Sequence, residues 1–265
     1  MSWMDKITIG ITWHLRDRDL GQCLESCERF APGVRVISHA CPKGNLSIGR
    51  NELVDKIRTP FYFMLEEDMR LSVETDMGLM MRISESAELA GVSGVLHERG
   101  RRAIAGQFRH RKKLGVSLMP IQTVSWTLRG EPYVQCDCIS NWGLFRTGAL
   151  REVRWDPRMA LQEHYEYFWR LSQAGYRSAV CLSGVSHHKS RPTEEYRIDR
   201  KRASREYKSM ERSLMGGFRV ARNLDVLETL EKSKAGPIRR RQTRIPDSGR
   251  PARRRTRRPR PQERE

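Results

Sequence analysis

The sequence lacks any apolar run close to the roughly 18 to 20 residues that a membrane-spanning helix needs. Its opening segment, MSWMDKITIGIT, also lacks the basic-then-apolar layout of a secretory signal. We therefore expect a cytoplasmic protein without a transmembrane segment, in which the six cysteines are reduced thiols. Cys136 and Cys138 have no second cysteine pair nearby at zinc-ligand spacing, which argues against a structural zinc site.

Acidic residues are few: 32 Asp and Glu stand against 50 Lys and Arg, a formal net charge of +18. Residues 232–265 alone hold 14 basic residues and three acidic ones. This segment has too little apolar content to fold by itself, so we predict a disordered basic tail. Arginine-rich segments bind polyanions by displacing counterions, which makes a nucleic-acid-binding protein one alternative. The tail has no aromatic residue that would stack on bases.

The rest of the chain alternates short apolar strands with amphipathic helices. This alternation is typical of an α/β fold with a mostly parallel central sheet. Strands are predicted at residues 7–12, 34–38, 61–65, 92–96, 123–128, 133–136 and 176–182, and helices at 20–30, 73–90 and 161–174. A further helix, capped by Asn45 or Ser47, is expected to end before Pro60, and Gly175 stands where a helix C-cap is expected.

Three consecutive acids, Glu66, Glu67 and Asp68, follow the predicted strand 61–65. In open α/β sheets, ligands bind beyond the carboxyl ends of the strands. Adjacent carboxylates repel one another, and a hard divalent cation with a bound phosphate is the usual way to hold them together. The triplet therefore predicts a metal–diphosphate site, with a solvated turn as the alternative.

Three more groups of residues have side chains that could bind a phosphate, act as a general base or bind a metal. Arg50 and Asn51 open a helix and suit a phosphate, although such a pair is often on the surface. Glu163 and Glu166 lie on one helical face and are candidate general bases, with a salt bridge to Arg170 as the alternative. The segment SHHKSRP is predicted as a loop in which either histidine could bind a metal.

In this order, these pieces resemble the inverting glycosyltransferases of the GT-A fold. The segment DCISNWGLFRTGALREVRWDPRMALQEHYEYF is similar to the ganglioside-type β-1,4-N-acetylgalactosaminyltransferases. The resemblance covers about residues 7–191 and implies one Rossmann-like GT-A domain at 1–191. Its nucleotide-sugar half would be about 1–96 and its acceptor half about 97–191, followed by a C-terminal helical extension at 192–231 and the tail at 232–265.

The resemblance also implies how a donor would bind. Asp68 and His187 would be ligands of Mn²⁺ or Mg²⁺ on the diphosphate of a UDP-sugar, while His188 has no counterpart in the family. Glu66, on the ribose or behind the metal ligands, and Glu67 would complete the acidic motif. The uridine and phosphates would lie against the side chains Thr12, Arg50 and Asn51.

On the acceptor side, the resemblance implies contacts from Asp137, Asn141, Trp142 and His164, with Trp126 as a second aromatic candidate. For the base, the narrower family matches Glu166, which we rank first, and Glu163 is second. His164 stands where the broader family has an aspartate.

The function expected from the resemblance is the transfer of a sugar from a UDP-sugar to an acceptor hydroxyl with inversion. The sugar would be GalNAc, GlcNAc, Gal or Glc, and the acceptor a glycan, a protein or a DNA base. A glycosyltransferase that modifies a DNA base would give the basic tail a direct purpose. Two competing functions are those of a catalytically inactive sugar-binding relative and of a nucleic-acid-binding protein.

Overall fold

A computed structural model of the chain describes residues 2–13, 20–98, 100–111, 115–121, 125–159, 163–188, 198, 218–221 and 224–235. The described helices are α1 Leu20–Phe30, α2 Leu46–Lys56, α3 Met77–Ser86, α4 Thr147–Glu152, α5 His164–Gln173 and α6 Leu227–Ala235. The described strands are β1 Ile7–Trp13, β2 Arg35–Ala40, β3 Phe61–Glu66, β4 Met69–Leu71, β5 Gly91–His97, β6 Arg101–Ala103, β7 Ala105–Arg111, β8 Gly115–Pro120, β9 Ser125–Leu128, β10 Glu131–Cys136, β11 Cys138–Ile139, β12 Gly143–Arg146, β13 Ser178–His188 and β14 Phe218–Val220.

The expected α/β fold with a large central sheet is confirmed. This sheet has the strand order β2-β1-β3-β12-β5-β13-β10-β9, with β4 added to β13 and β6 added to β5. The strands β2, β1, β3, β5 and β13 share one direction. β12 runs against both β3 and β5, and β10 runs against β13, so the sheet is mixed. A second sheet has the order β11-β7-β8-β14.

The central sheet is buried on both faces, as its apolar strands require. One face packs with α1 and α3 around β1 residues such as Ile9 and α3 residues such as Met80. The other face packs with α2, α4, α5 and α6 around Tyr62 and Val95. All six cysteines are buried free thiols.

Most predicted elements are present, and their ends have identifiable causes. Asn45 caps α2 by accepting the Ile48 N–H at 3.0 Å, as one of the two expected caps. The methionine-rich helix is shorter than expected, because Asp76 caps it by accepting the Leu79 N–H at 2.7 Å. Gly175 has φ +89° just after α5, in agreement with its predicted C-cap position.

Two segments differ from expectation. The polar stretch after β5 forms the strands β6 and β7, which have too few apolar residues for a strand pattern. Most of the predicted helical extension 192–231 lies outside the described residues, and its described part includes the strand β14, which pairs with β8, and Leu230 of α6, which is fully buried in the core. α6 also spans the expected boundary at residue 231, whereas residues 236–265 lie outside the described part of the chain.

Within the described residues, each helix is too short or too polar to cross a lipid bilayer.

Candidate active site

The parallel strands of the central sheet end at one edge, and the predicted site residues Thr12, Glu66 and His187 lie there. At this edge Thr12 of β1 pairs with Glu66 of β3, and His97 of β5 pairs with His187 of β13. Glu66 is the last residue of β3 and the first of the acid triplet. The triplet therefore lies where ligands bind in open α/β sheets, as its position after an apolar strand indicates.

A buried arginine connects this edge to the start of α5. Arg50 of α2 is 0% exposed, and its Nη2 donates to Glu66 Oε1 at 2.5 Å. Its Nη1 donates to Glu163, the residue that precedes α5. The Arg50 guanidinium also lies 5.7 Å from the Trp155 ring centroid. One guanidinium thus joins two carboxylates from distant parts of the chain.

The two carboxylates have opposite pKa shifts. Burial raises the pKa of Glu66 and outweighs the attraction of Arg50, and the negative charge of Asp68 adds to the rise. Burial opposes ionisation of Glu163 as well, but Arg50 and then His164 outweigh it, so the pKa of Glu163 lies below its usual value. Two carboxyl groups with pKa values moved apart are typical of functional sites as well as of structural ion pairs.

Asp68 and Glu98 lie on opposite sides of the His188 ring. Asp68 Oδ2 is 3.1 Å from Nε2, and Glu98 Oε1 is 3.2 Å from Nδ1. Burial disfavours the charged ring, but the carboxylates of Asp68, Glu66 and Glu98 outweigh burial and raise the pKa of His188. His188 therefore has carboxylate partners at both ring nitrogens.

The structure separates the two histidines that are adjacent in the sequence. Both belong to β13 and pair with β4, so the loop predicted for them is wrong. Neighbouring residues of a strand point to opposite faces. His188 meets Asp68, whereas the His187 ring packs against His97 with centroids 4.6 Å apart. The histidine found beside Asp68 is thus His188, not the expected His187.

The side chains of Asp68 and His188 could bind a divalent cation, because carboxylate oxygen and the nitrogen of a neutral imidazole are common metal ligands. Glu98 Oε1 lies 3.2 Å from the second ring nitrogen, and carboxylates are common neighbours of metal-binding histidines. Within the described ranges, no group of three or more His, Cys, Asp or Glu side chains is arranged to hold a metal. A cation here would need further ligands from a substrate, as Mg²⁺ has when it binds nucleotide phosphates.

Two side chains expected to bind the nucleotide make their contacts inside the protein. The Thr12 hydroxyl is buried and donates to the Leu65 carbonyl at 3.5 Å. The Asn51 amide donates to the Trp155 carbonyl at 2.8 Å and accepts the Trp155 N–H at 3.0 Å. Glu67 is buried, and its backbone N–H donates to the Thr12 carbonyl at 3.2 Å. These hydrogen bonds hold the Thr12 and Asn51 side chains and the Glu67 backbone within the protein.

The expected acceptor residues divide into two groups. Asp137 forms an ion pair with Arg177 and accepts the Phe108 N–H at 2.8 Å, which ties β7 to the central sheet. Asn141, by contrast, donates to Glu163 Oε1 at 3.1 Å and so belongs to the Arg50 cluster.

The aromatic candidates and His164 lie in different environments. Trp142 is fully buried against Phe63, with ring centroids 6.3 Å apart, so its faces are used by the core. Trp126 is partly buried against the same core cluster. His164 is the first residue of α5 and packs on Tyr165, with ring centroids 3.8 Å apart.

Glu166 lies on α5, one turn beyond Glu163. Arg170 binds both of its oxygens, with Nε donating to Oε1 and Nη2 donating to Oε2 at 3.0 Å. This i, i+4 ion pair is the salt bridge to Arg170 that the helical spacing allows. Glu163, in contrast, is joined through Arg50 to the acid triplet.

A cavity of about 570 Å³ opens beside His188. Its lining comes from α1, β4, β13 and the segment from β5 to β6, and consists of Gln22, Arg70, His97, Glu98, Gly100, Arg101, His187 and His188. Sequence reasoning did not identify Glu98, Arg70, His97 or Arg101. The useful signal would have been the alternation within β13, which places His187 and His188 on different faces.

No protein-family model matches the chain, and no curated protein matches it. Among solved structures, a crystal structure of GalNAc-T7 with UDP, GalNAc and Mn²⁺ is similar at TM-score 0.55 and 9% identity, covering 79% of this chain and 51% of that chain. TarS of S. aureus matches at TM-score 0.49 and 9% identity, covering 79% of this chain and 44% of that one. A197 from STIV matches at TM-score 0.46 and 12% identity, covering 69% of this chain and 86% of that one.

The chain thus spans about half the length of the GalNAc-T7 structure. At this identity the likeness concerns the fold. Together with the large mixed sheet and the acid triplet at its carboxyl edge, the likeness to GalNAc-T7 shows that this chain has the GT-A fold.

Proposed function

We propose that this protein is a cation-dependent glycosyltransferase that moves a sugar from a UDP-sugar to an acceptor hydroxyl with inversion at the anomeric carbon. The observation that carries the proposal is the Asp68–His188 pair at the carboxyl edge of a GT-A sheet, beside the Glu66–Arg50–Glu163 cluster. The solved structure of GalNAc-T7 with UDP, GalNAc and Mn²⁺ supports this donor chemistry.

In this proposal, Asp68 and His188 hold the cation. Glu98 Oε1 lies 3.2 Å from Nδ1 of His188, and its negative charge favours the tautomer with the proton on Nδ1, which leaves the Nε2 lone pair for the cation beside Asp68. When bound, the cation supplies positive charge that stabilises a departing diphosphate. The pair Asp68–His188 replaces the expected Asp68–His187, since His187 contacts His97 instead.

The acceptor hydroxyl needs a base near the amino end of α5. We assign this role to Glu163 ahead of Glu166. Arg50 and Asn141 both donate to Oε1 of Glu163, and Arg50 joins Glu163 to the acid triplet. In Glu166, by contrast, Arg170 binds both carboxylate oxygens. The lowered pKa of Glu163 keeps this carboxylate ionised at neutral pH, although it also makes Glu163 a weaker base than an ordinary glutamate.

The test is UDP release from a panel of UDP-sugars with Mn²⁺ or Mg²⁺, with and without a chelator. Asp68→Asn and His188→Gln should each reduce cation-dependent UDP binding and turnover by at least tenfold, because each removes one protein ligand. His39→Gln is the matched control, since His39 pairs with Glu52 on the α2 side of the sheet.

Three results would oppose the proposal. One is UDP-sugar binding that does not respond to a chelator or to Asp68→Asn. Another is the absence of any UDP-sugar binding with either cation. The third is full turnover in Glu163→Gln together with loss in Glu166→Gln or His164→Asn, which would move the base to one of those residues.

A further inference from the structure

Four basic side chains form one row across neighbouring strands. His187 of β13 pairs with Arg70 of β4 on one side and with His97 of β5 on the other, and His97 pairs in turn with Arg101 of β6. Residues in register on adjacent strands point to the same face of a sheet. We call these residues the basic row, and all of them line the 570 Å³ cavity.

His187 and His97 of the basic row point to a different face of the sheet from His188, whereas Arg70 reaches Gln22 of α1. Along each strand, alternate residues share a face, so His187 shares its face with Val185 and His97 with Val95. Val185 and Val95 belong to the core under α5 and α6. His188 is next to His187 in β13 and therefore points the other way, towards Asp68.

Two permanent positive charges belong to this row. Arg70 donates to the carbonyls of Glu67 and Met69 and to the amide of Gln22, so its hydrogen bonds go to neutral acceptors. Arg101 pairs with Glu231 at 3.2 Å, but both side chains are nearly half exposed. An ion pair of this kind contributes little and exchanges easily for another anion.

Glu98, the carboxylate that lines the cavity, does not neutralise the positive charge of the basic row. Glu98 Oε2 forms an ion pair with Arg102, and Glu98 Oε1 faces His188. Basic side chains directly opposite one another on a sheet destabilise it. Their placement in a cavity is explained if an anion binds between them, since guanidinium groups form paired hydrogen bonds with phosphate oxygens.

We propose that the basic row binds a phosphate group of the acceptor. This inference rests on the proposed glycosyltransferase function, because only that function makes the bound phosphate part of an acceptor. His188 lines the same cavity as the row but points to the other face of β13, so a diphosphate held by Asp68 and His188 would place the donor next to a phosphate held by the row. A phosphate held by Arg70 and Arg101 would direct one end of the acceptor into the cavity.

The experiment measures binding of inorganic phosphate and of glycerol phosphate by calorimetry at constant ionic strength, with and without saturating UDP and Mg²⁺. We expect both probes to bind in either condition. Arg101→Gln should weaken their affinity about tenfold, as expected when one charged hydrogen-bond donor is lost. Arg35→Gln, at an exposed position in β2, removes the same charge from another part of the sheet and should leave affinity unchanged.

Phosphate affinity is also measured for Arg70→Gln, at the opposite end of the row. The fold of this variant is checked by circular dichroism, because Arg70 also binds backbone carbonyls. Equal phosphate affinity in wild type and Arg101→Gln, or no phosphate binding at all, would overturn the phosphate site. Competition between UDP and phosphate would place the donor diphosphate on the row and overturn the acceptor assignment. Phosphate binding that depends on Arg101 without any UDP binding would support the phosphate site and overturn the glycosyltransferase proposal.

Discussion

At the scale of single residues, Arg50 has the greatest influence on the geometry of the candidate site. It is fully buried and holds Glu66 and Glu163 at once. Removing one partner of a buried ion pair leaves an uncompensated charge, which is far more destabilising than the pair is stabilising. Arg50 thus positions the acid triplet relative to α5, a role that differs from the phosphate contact expected from its place in α2.

Arg50→Met should lower the free energy of unfolding by about 3–5 kcal/mol, measured by urea denaturation at pH 7. Arg50→Lys should fall between wild type and Arg50→Met, because it keeps the charge without the two-pronged geometry. Arg158→Met is the control at an exposed ion pair with Asp156 and should leave the midpoint near wild type. Equal effects of Arg50→Met and Arg158→Met would contradict a buried bridge.

The pH dependence follows from the sign of the Glu163 shift. Because Arg50 holds the pKa of Glu163 below its usual value, the ion pair stabilises the fold above the unfolded pKa of glutamate, and this stability is lost as the pH falls through the lower folded value. In Arg50→Met the unpaired carboxylate is neutralised on acidification. The stability difference between wild type and Arg50→Met should therefore shrink from pH 7 to pH 4.5. A constant difference would show that Glu163 is not the linked group.

The cysteines permit a second test at this scale. Burial raises the pKa of Cys41 and of Cys181 to about 12, so both thiols are protonated at pH 8. Iodoacetamide should label them slowly in the native protein and quickly in guanidinium chloride, as read by mass spectrometry of the peptides. Rapid labelling of either residue in the native state would contradict its burial.

At the scale of elements, β5 and β13 approach each other closely just before the site. A Cβ at Gly94 would lie 1.9 Å from the Gly184 carbonyl oxygen. The register of β13 against β5 shifts between Val180 and Val185, around Gly184. The glycines therefore permit the irregularity after which β13 delivers His187 and His188 to the edge.

Gly94→Ala should destabilise the protein by about 1–3 kcal/mol, the usual range for overpacking, and should weaken cation-dependent UDP binding as well. Gly148→Ala in α4 is the matched control, because a Cβ there meets no atom within 4 Å and alanine favours helix. Thermal unfolding compares the two variants. A Gly94→Ala protein as stable as wild type would show that the close contact relaxes freely.

At the scale of the whole molecule, the second sheet and α6 belong to the same folded body as the central sheet. β14 pairs with β8, and Leu230 and Val226 are buried in the core that also contains Tyr62 and Phe168. A deletion intended to remove only the basic segment must therefore start after Ala235, the end of α6.

Deletion of residues 236–265 removes twelve basic and three acidic residues. At 0.1 M salt we expect binding to duplex DNA, measured by fluorescence anisotropy, to weaken at least tenfold, and the salt dependence of the remaining binding to be shallower. UDP binding should be unchanged in the same protein. Equal DNA affinity with and without residues 236–265 would assign nucleic-acid binding to the folded body.

Several features were predictable from local sequence because they depend on local physical rules. Apolar runs produce buried strands, Asn45 caps α2, and Gly175 ends α5 in the left-handed region. The acid triplet was located correctly because it directly follows an apolar strand. Charged strands such as β6 escaped prediction, since a strand without an apolar face has no periodic signal.

The contacts among these residues were decided by tertiary structure. Strand register selects His188 to meet Asp68 and places His187 in the basic row, because a shift by one residue reverses the face of every side chain. Helix packing brings Arg50 and Glu163 together across more than a hundred residues of chain, so that one guanidinium binds both Glu66 and Glu163. Such distances in sequence carry no local pattern, and only the folded chain shows which charges are neighbours.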